Sequence, residues 1–95
     1  MKYYFVAQIK VHDDAEYQKY LDKVDEVFEK FNGKYLAVDL QPTVLEGKWE
    51  YTKSVIIEFR SRKAFRDWYF SKEYQEILQY RLRASTSDAI LLEGV

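Results

Sequence analysis

The stretch from Tyr51 to Gln75 constrains the fold most, because its hydrophobic period changes in the middle. In the run Val55–Phe59, every second residue belongs to one apolar face, which is the period of a strand with one buried side. Further on, Phe65, Trp68 and Tyr69 recur at a spacing of three and then one, which places them on one side of a helix. The sequence therefore predicts a strand followed by a helix, both contributing large side chains to one core.

The first third of the chain predicts a strand followed by a long helix. Residues 2–11 alternate between an apolar face and a mixed face. Asp13 then occupies the position of a helix N-cap, where its carboxylate can accept hydrogen bonds from free N–H groups of the first turn. Apolar residues recur at three and four beyond it, and Gly33 favours the left-handed backbone that ends many helices. We therefore expect a helix from Asp14 to about Asn32.

The rest of the chain predicts two further strands and two helices. Residues 34–41 alternate between two faces, and Pro42 ends this strand because it lacks a backbone donor. The strand can form a long hairpin with the strand that contains Val55–Phe59. Ser61 and Ser71 each precede an amphipathic run and are expected to cap consecutive helices. The last strand is expected at Asp88–Glu93. The inward residues expected for these two strands are Leu36, Val38, Leu40, Ile90 and Leu92.

This order of elements is that of the ferredoxin-like βαββαβ plan, an α+β fold. Each helix carries one apolar stripe and each strand one mostly apolar face, so both helices are expected to cover the same face of a four-stranded antiparallel sheet. The other face stays open and carries a mixture of apolar and polar residues. It is expected to include Tyr4, Gln8, Tyr35, Asp39, Ile56, Glu58, Ala89 and Leu91. Such a face is expected to bind a ligand or a second sheet.

Length and composition limit the class of protein. The 95 residues are enough for one domain, residues 1–95, that needs no disulfide or metal for stability. The absence of cysteine excludes disulfides and thiolate chemistry and agrees with a reducing compartment. No signal-peptide pattern follows Met1 and no apolar run has the length of a membrane span, so we expect a cytoplasmic protein without a membrane partner.

Several short motifs together resemble a known family. They are Leu45-Glu46-Gly47 with Trp49, the strand Val55–Phe59, Trp68-Tyr69 with Ser71, Glu73, Tyr74 and Gln75, then Arg81, and the closing Leu92-Glu93-Gly94. On these residues the chain is similar, over nearly its whole length, to domain-of-unknown-function family thirteen-thirty of the dimeric α+β barrel superfamily. The resemblance implies a homodimer of ferredoxin-like subunits packed sheet against sheet. It also implies a cleft between sheet and helices, where superfamily relatives carry out cofactor-free oxidation, isomerisation or haem chemistry.

Two residues are candidates for proton transfer. Glu58 projects from the middle of the third strand onto the open face. Partial removal of water there can raise the pKa of its carboxyl group into the range of a catalytic acid or base. His12 is the only histidine and lies at the end of the first strand, where it can act as a general base near neutral pH. The alternatives are that Glu58 forms an ion pair with Arg81 or Lys10 and that His12 is an exposed loop residue.

Four further residues are candidates for binding a ligand over the first and third strands. These are Tyr4, Gln8, Asp39 and Arg81. Arg81 falls in phase with the apolar stripe of the last helix, so it is expected to be partly buried and to need a carboxylate partner. Glu46 and Glu93 are the expected partners, and without one Arg81 becomes a ligand-binding candidate.

The sequence offers little for other kinds of site. One histidine and no cysteine leave no zinc pattern, the three glycines form no phosphate-binding loop, and we expect no metal and no cofactor. Nucleic acid is not expected either, because Glu58 stands where RNA-binding sheets of this plan present stacking aromatics. Three functions remain open. They are an enzyme without cofactor, of oxygenase or isomerase type, a non-catalytic small-molecule binder, and a purely structural dimer.

Overall fold

The computed structural model describes residues 1–95 and contains four strands and three helices. The elements are β1 (Tyr3–Val11), α1 (Asp14–Phe28), β2 (Gly33–Asp39), β3 (Lys53–Phe59), α2 (Arg62–Tyr69), α3 (Lys72–Ala84) and β4 (Ser85–Glu93). The strands form one antiparallel sheet in the order β2-β3-β1-β4. With α2 and α3 together in the place of the second helix, this is the predicted ferredoxin-like fold.

The three predicted helix caps are present. The carboxylate of Asp13 accepts a hydrogen bond from the backbone N–H of Glu16 at 3.1 Å. The hydroxyl of Ser61 accepts one from Ala64 at 3.0 Å, and that of Ser71 accepts one from Tyr74 at 3.1 Å. Each cap supplies a partner to a donor that the helix itself leaves free. None of the helices combines the length and apolarity that a membrane crossing requires.

Helix α1 ends at Phe28, earlier than predicted. After it, the backbone N–H of Phe31 bonds to the carbonyl of Phe28 at 3.0 Å, so the chain continues as tight turns. The expected left-handed residue is absent here, because Gly47 is the only residue with a positive φ. Gly33 has a different role, since a Cβ at this position would lie 2.5 Å from the ring of Phe28 and 2.7 Å from that of Phe59. It is the missing side chain that lets the first residue of β2 pass beneath these rings.

One core lies between the sheet and the helices. The largest side chains without solvent contact are Phe59 on β3, Trp68 on α2 and Tyr74 on α3. The ring of Trp68 stacks on that of Phe59 with centroids 5.5 Å apart and lies 4.2 Å from that of Tyr74. The strand-to-helix change seen in the sequence therefore builds the centre of the core, as predicted.

Strand β2 contains an irregularity that reverses one predicted position. Its register with β3 shifts between Tyr35 and Ala37. Tyr35 pairs with Ile57 and therefore lies on the helix-covered face, whereas it was expected on the open face. Ala37 and Asp39 lie on the open face, as expected. An extra residue at a β-bulge changes the side to which the neighbouring side chains point, and simple alternation does not reveal it.

Strand β4 has the opposite phase to the predicted one. Leu91 pairs with Phe5 and faces the helices, while Ile90 pairs with Val6 and faces the open side, as does Leu92. Ile90 and Leu92 are 55% and 47% exposed, so the expectation that they point inward is wrong. The strand begins at Ser85 directly after α3, and this junction sets its phase. Since residues 89–92 are all apolar, their order alone does not distinguish the two faces.

Candidate functional site

A cavity of about 330 Å³ lies between the helix-covered face of the sheet and the helices. Its walls are mostly apolar and aromatic side chains from β1, β2, β3 and all three helices. The polar groups that reach it are Tyr17, Tyr20, Tyr35, Lys53, Tyr74 and Arg81, and the exposed Asp25 lies at its rim. A mostly apolar pocket of this size with a few polar groups is typical of a small-molecule site.

Arg81 brings a positive charge to this cavity. Its residue is 3% exposed, and its Nη1 donates a hydrogen bond to the hydroxyl of Ser87 at 2.9 Å. The guanidinium lies 5.8 Å from the ring centre of Tyr20, and its Nε has no hydrogen-bond partner. Arginine stays protonated in proteins, so this is a buried cation.

The predicted carboxylate partner of Arg81 is absent. None of the ion pairs in the protein includes Arg81. Glu93 instead accepts a hydrogen bond from the hydroxyl of Tyr3 at 3.0 Å, and Glu46 is exposed in the loop between β2 and β3. The prediction of a pair with either residue is therefore wrong. Arg81 lies in the wall of the cavity instead, and Ser87 on β4 orients it.

Two tyrosines lie beside this guanidinium. The hydroxyls of Tyr20 and Tyr74 are 2.8 Å apart and share a hydrogen bond, and both residues are buried. Burial raises the pKa of each hydroxyl above its ordinary value, that of Tyr20 strongly. Both therefore remain neutral near pH 7, where each can donate or accept one hydrogen bond.

Lys53 supplies a second cationic group. It is on β3 in the same phase as Val55 and Ile57, so its stem points toward the helices. Its Nζ donates a hydrogen bond to the hydroxyl of Tyr17 at 3.2 Å and lies 5.1 Å from the centre of that ring. Burial lowers the pKa of Lys53, and the nearby charge of Arg81 lowers it further. The cavity thus brings together an ammonium, a guanidinium and phenol groups, and Asp25 at the rim is the one acidic residue that lines it.

The proton-transfer candidates from the sequence lie elsewhere. Glu58 is on the open face, where it forms an ion pair with Lys2 at 3.1 Å and accepts a long hydrogen bond of 3.5 Å from the hydroxyl of Tyr4. Its side chain is 18% exposed. His12 is exposed in the turn between β1 and α1, where its backbone N–H bonds to the carbonyl of Ala84 at 2.9 Å. Glu58 is on the opposite side of the sheet from Arg81, and neither Glu58 nor His12 lines the cavity.

The other candidates form part of an ordered open face. Asp39, Ser54, Gln8 and Asp88 lie in one row across the four strands, since each is paired with the next. An apolar row follows and consists of Ala37, Ile56, Val6 and Ile90. The third row places Lys34, Glu58, Tyr4 and Leu92 side by side. Of the candidate ligand-binding residues, Tyr4, Gln8 and Asp39 therefore share the open face, and Arg81 alone reaches the cavity.

The sequence contained signals for the cavity residues that the open-face hypothesis did not use. Lys53 is a charged residue in phase with the buried positions of β3, which is unusual unless the amine has a local role. Tyr17, Tyr20 and Tyr74 occupy buried stripe positions at which phenylalanine would supply the same apolar surface without a hydroxyl to satisfy. Inward polar groups on several elements are thus the signal that indicates this site.

The fold and the cavity define a ferredoxin-like α+β protein with an internal pocket, and solved structures share this fold. SnoaB, a cofactor-independent oxygenase from Streptomyces nogalater, is 19% identical with a TM-score of 0.71, and the match covers 99% of this chain and 93% of that one. RPA0582 of Rhodopseudomonas palustris, a protein of unknown function, is 20% identical with a TM-score of 0.78 over 99% and 82% of the two chains. A dimeric ferredoxin-like protein of unknown function from Jannaschia sp. CCS1 is 8% identical with a TM-score of 0.77 over 99% and 100%.

The family follows from the sequence itself. The domain of unknown function DUF1330 matches residues 2–95, so the chain belongs to this family. This confirms the resemblance found in the short motifs. No curated protein sequence matches the chain significantly. At these low identities the solved structures establish the fold, and the function has to be argued from the residues of this chain.

Proposed function

We propose that this protein is a homodimer that binds a small organic anion in the cavity between the sheet and the helices. The observation that carries the proposal is the buried guanidinium of Arg81, which has no carboxylate partner. A buried charge without a counter-charge is costly, and Lys53 adds a second positive charge nearby. A carboxylate or an enolate in the cavity would compensate both.

The shape and chemistry of the cavity favour a planar ligand. The rings of Tyr17, Tyr20, Tyr35, Trp68 and Tyr74 contribute to its walls. Flat aromatic surfaces pack against planar molecules, and the phenol hydroxyls can bond to polar substituents. The volume of about 330 Å³ is at the lower end of the range for ligand pockets, which suits a molecule of one or two rings.

The open face supports the dimer. It combines the apolar row through Val6 and Ile56 with Ile90 and Leu92, which are 55% and 47% exposed. Contiguous apolar residues of this kind are typical of a surface that is covered in the working protein. A second copy is the proposed occupant, because a two-fold interface pairs the same patch of both subunits and the Jannaschia relative of the same fold is dimeric.

Cofactor-free chemistry of oxygenase or isomerase type is the catalytic form of this proposal. Two features support it. The cavity has neutral phenols and an amine that can move protons, and its cations would stabilise an enolate, the intermediate that such reactions form. SnoaB is a cofactor-independent oxygenase of the same fold. Non-catalytic binding would use the same residues, and the two forms differ only in turnover.

The open face offers a second location for a ligand. Gln8, Asp39 and Tyr4 would contact it there, with Glu58 as the acid or base and His12 at the rim. The row of polar residues through Gln8 supports this location. It competes with the dimer for the same surface, and the ion pair with Lys2 already engages Glu58. We therefore favour the cavity.

Calorimetric titration with benzoate and with neutral benzamide tests the proposal. We expect benzoate to bind more tightly, and Arg81→Gln to weaken it by about 10- to 100-fold, because a hydrogen bond to a charged group contributes about 1.5 to 3 kcal/mol. Arg83→Gln is the matched control, since Arg83 is on the same helix but exposed and paired with Glu16 at 2.9 Å. Equal binding of the two probes contradicts the proposal. Loss of binding in Glu58→Gln with normal binding in Arg81→Gln assigns the site to the open face.

A further inference from the structure

Lys53 has properties that anion binding alone does not require. Lys53 lies in the wall of the cavity between the sheet and the helices, makes no ion pair, and has the hydroxyl of Tyr17 as its hydrogen-bond partner at 3.2 Å. The other ammonium groups with close partners, those of Lys2, Lys19, Lys30 and Lys63, are at the surface and are paired with carboxylates. Lys53 is therefore partly buried without the carboxylate partner that usually keeps a lysine charged.

The surroundings of this amine mainly lower its pKa. Burial is the largest effect and lowers the pKa of Lys53, and the charge of Arg81 on α3 adds to it. Asp25 on α1 opposes them weakly from the rim. Tyr17 on α1 and Tyr35 on β2 are the other titratable groups at this side of the cavity, and burial raises the pKa of each to about 12, so both are neutral. The neutral form of Lys53 is accordingly more accessible than that of an exposed lysine.

We propose that Lys53 is a nucleophilic amine that forms an imine with an aldehyde or an oxo acid bound in the cavity. A desolvated lysine beside a second cation is the arrangement that activates an amine for this reaction. The proposal rests on the proposed function only in that a small molecule must enter the cavity. It adds a covalent step and a chemical class of substrate, carbonyl compounds.

The step balances without a cofactor or an oxidant. The lone pair of the neutral Nζ adds to the carbonyl carbon, and the oxygen takes the proton that the nitrogen loses, which forms a carbinolamine. Its hydroxyl then leaves as water while the carbon–nitrogen double bond forms. Tyr17 stands at hydrogen-bond distance from Nζ and is neutral, so it can give a proton to the departing oxygen and recover one from the nitrogen.

Arg81 favours carbonyl substrates that also carry a negative charge. It is a fixed cation in the same cavity as Lys53, close enough for its charge to influence that amine. A substrate with both a carbonyl and a carboxylate would satisfy Lys53 and Arg81 together. The geometry therefore favours carboxylated aldehydes and oxo acids over neutral carbonyl compounds.

Reductive trapping on the intact protein tests this. The probes are 4-carboxybenzaldehyde and benzaldehyde, which differ only in the carboxylate, each with cyanoborohydride, which adds hydride to the imine carbon and leaves a stable secondary amine. Peptide mapping by mass spectrometry then measures every lysine in one sample. We expect Lys53 to be labelled severalfold faster than exposed Lys10 and Lys23 near neutral pH, because a lowered pKa raises the neutral, nucleophilic fraction of its amine.

Four variants test the assignment of the label to Lys53. Lys53→Arg keeps the charge and should remove the main adduct, whereas Lys10→Arg should leave it unchanged. Tyr17→Phe should slow the labelling without abolishing it and should change its pH profile. Arg81→Gln should remove the preference for the carboxylated probe.

The failure of this inference is distinguishable from the failure of the proposed function. If benzoate binds through Arg81 but Lys53 is labelled no faster than exposed lysines, the imine chemistry is overturned and the anion site stands. If Lys53 is labelled rapidly and equally by both probes while benzoate does not bind, the amine is nucleophilic and the anion site is wrong.

Discussion

The two faces of the sheet carry their charges in opposite ways. On the open face, Glu58 is paired with Lys2, and the chain itself supplies both charges. On the helix-covered face, Arg81 and Lys53 are both positive and neither has an acidic partner. The open face carries charges of both signs and needs no ligand for electrostatic reasons, whereas two positive charges in one cavity favour a bound anion. The contrast supports the proposal that the open face serves assembly and the covered face binds the ligand.

The largest expected difference between the two faces is in the free energy of unfolding. Substitutions of two neighbouring residues of β3 test it. Phe59 is fully buried under Trp68, so Phe59→Ala should lower the free energy of unfolding by about 3 to 5 kcal/mol. Glu58→Ala is the matched change on the other face, and it removes an ion pair whose Lys2 side chain is 62% exposed. It should cost less than about 1 kcal/mol. Urea unfolding measures both, and equal costs would contradict the assignment of one buried core to one face.

The next effect concerns assembly. Ile56→Asp introduces a charge into the apolar row of the open face, and we expect the dimer to weaken by about a hundredfold, because an unpaired charge buried at an interface costs about 3 kcal/mol or more. Light scattering over a range of concentrations measures the change. Lys63→Asp on α2 is the control, since this residue is exposed on the helical side. A parent protein that is monomeric at micromolar concentration, or a variant with unchanged mass, contradicts the role of this face.

The smallest effect concerns alkaline pH and the phenols of the covered face. Burial raises the pKa of Tyr17 to about 12 from an ordinary value of 10.0. Because the folded pKa is higher than the unfolded one, the folded state binds more protons in this range, and stability is lost as the pH rises from about 10 to 12. Tyr17→Phe should make the free energy of unfolding less dependent on pH in this window.

The control for this effect is Tyr3→Phe, whose hydroxyl bonds to Glu93 at an exposed position. Near-ultraviolet absorbance follows tyrosine ionisation while circular dichroism follows unfolding. If the loss of stability in this window is the same for both variants, the buried phenol of Tyr17 does not contribute to it.

Sequence and structure agree on the helix caps and on the centre of the core. The caps at Asp13, Ser61 and Ser71 were predictable because each depends on a side chain and a backbone donor a few residues apart. The core around Trp68 was predictable because its apolar neighbours repeat at the period of their element. The candidate site was less predictable, since only Arg81 among the expected residues reaches the cavity.

The sequence by itself thus determined the order of elements, the family, and the burial of Arg81, because these depend on local periods and short motifs. Only the tertiary structure decided which side of β4 faces the helices, since residues 89–92 are apolar on both sides and the junction with α3 sets the phase. It also decided that Tyr35 turns inward, through a bulge in β2. Above all, it brought Lys53 and Arg81 to one cavity. These residues are distant in sequence, and their proximity comes from the packing of α3 over the sheet, which no local pattern encodes.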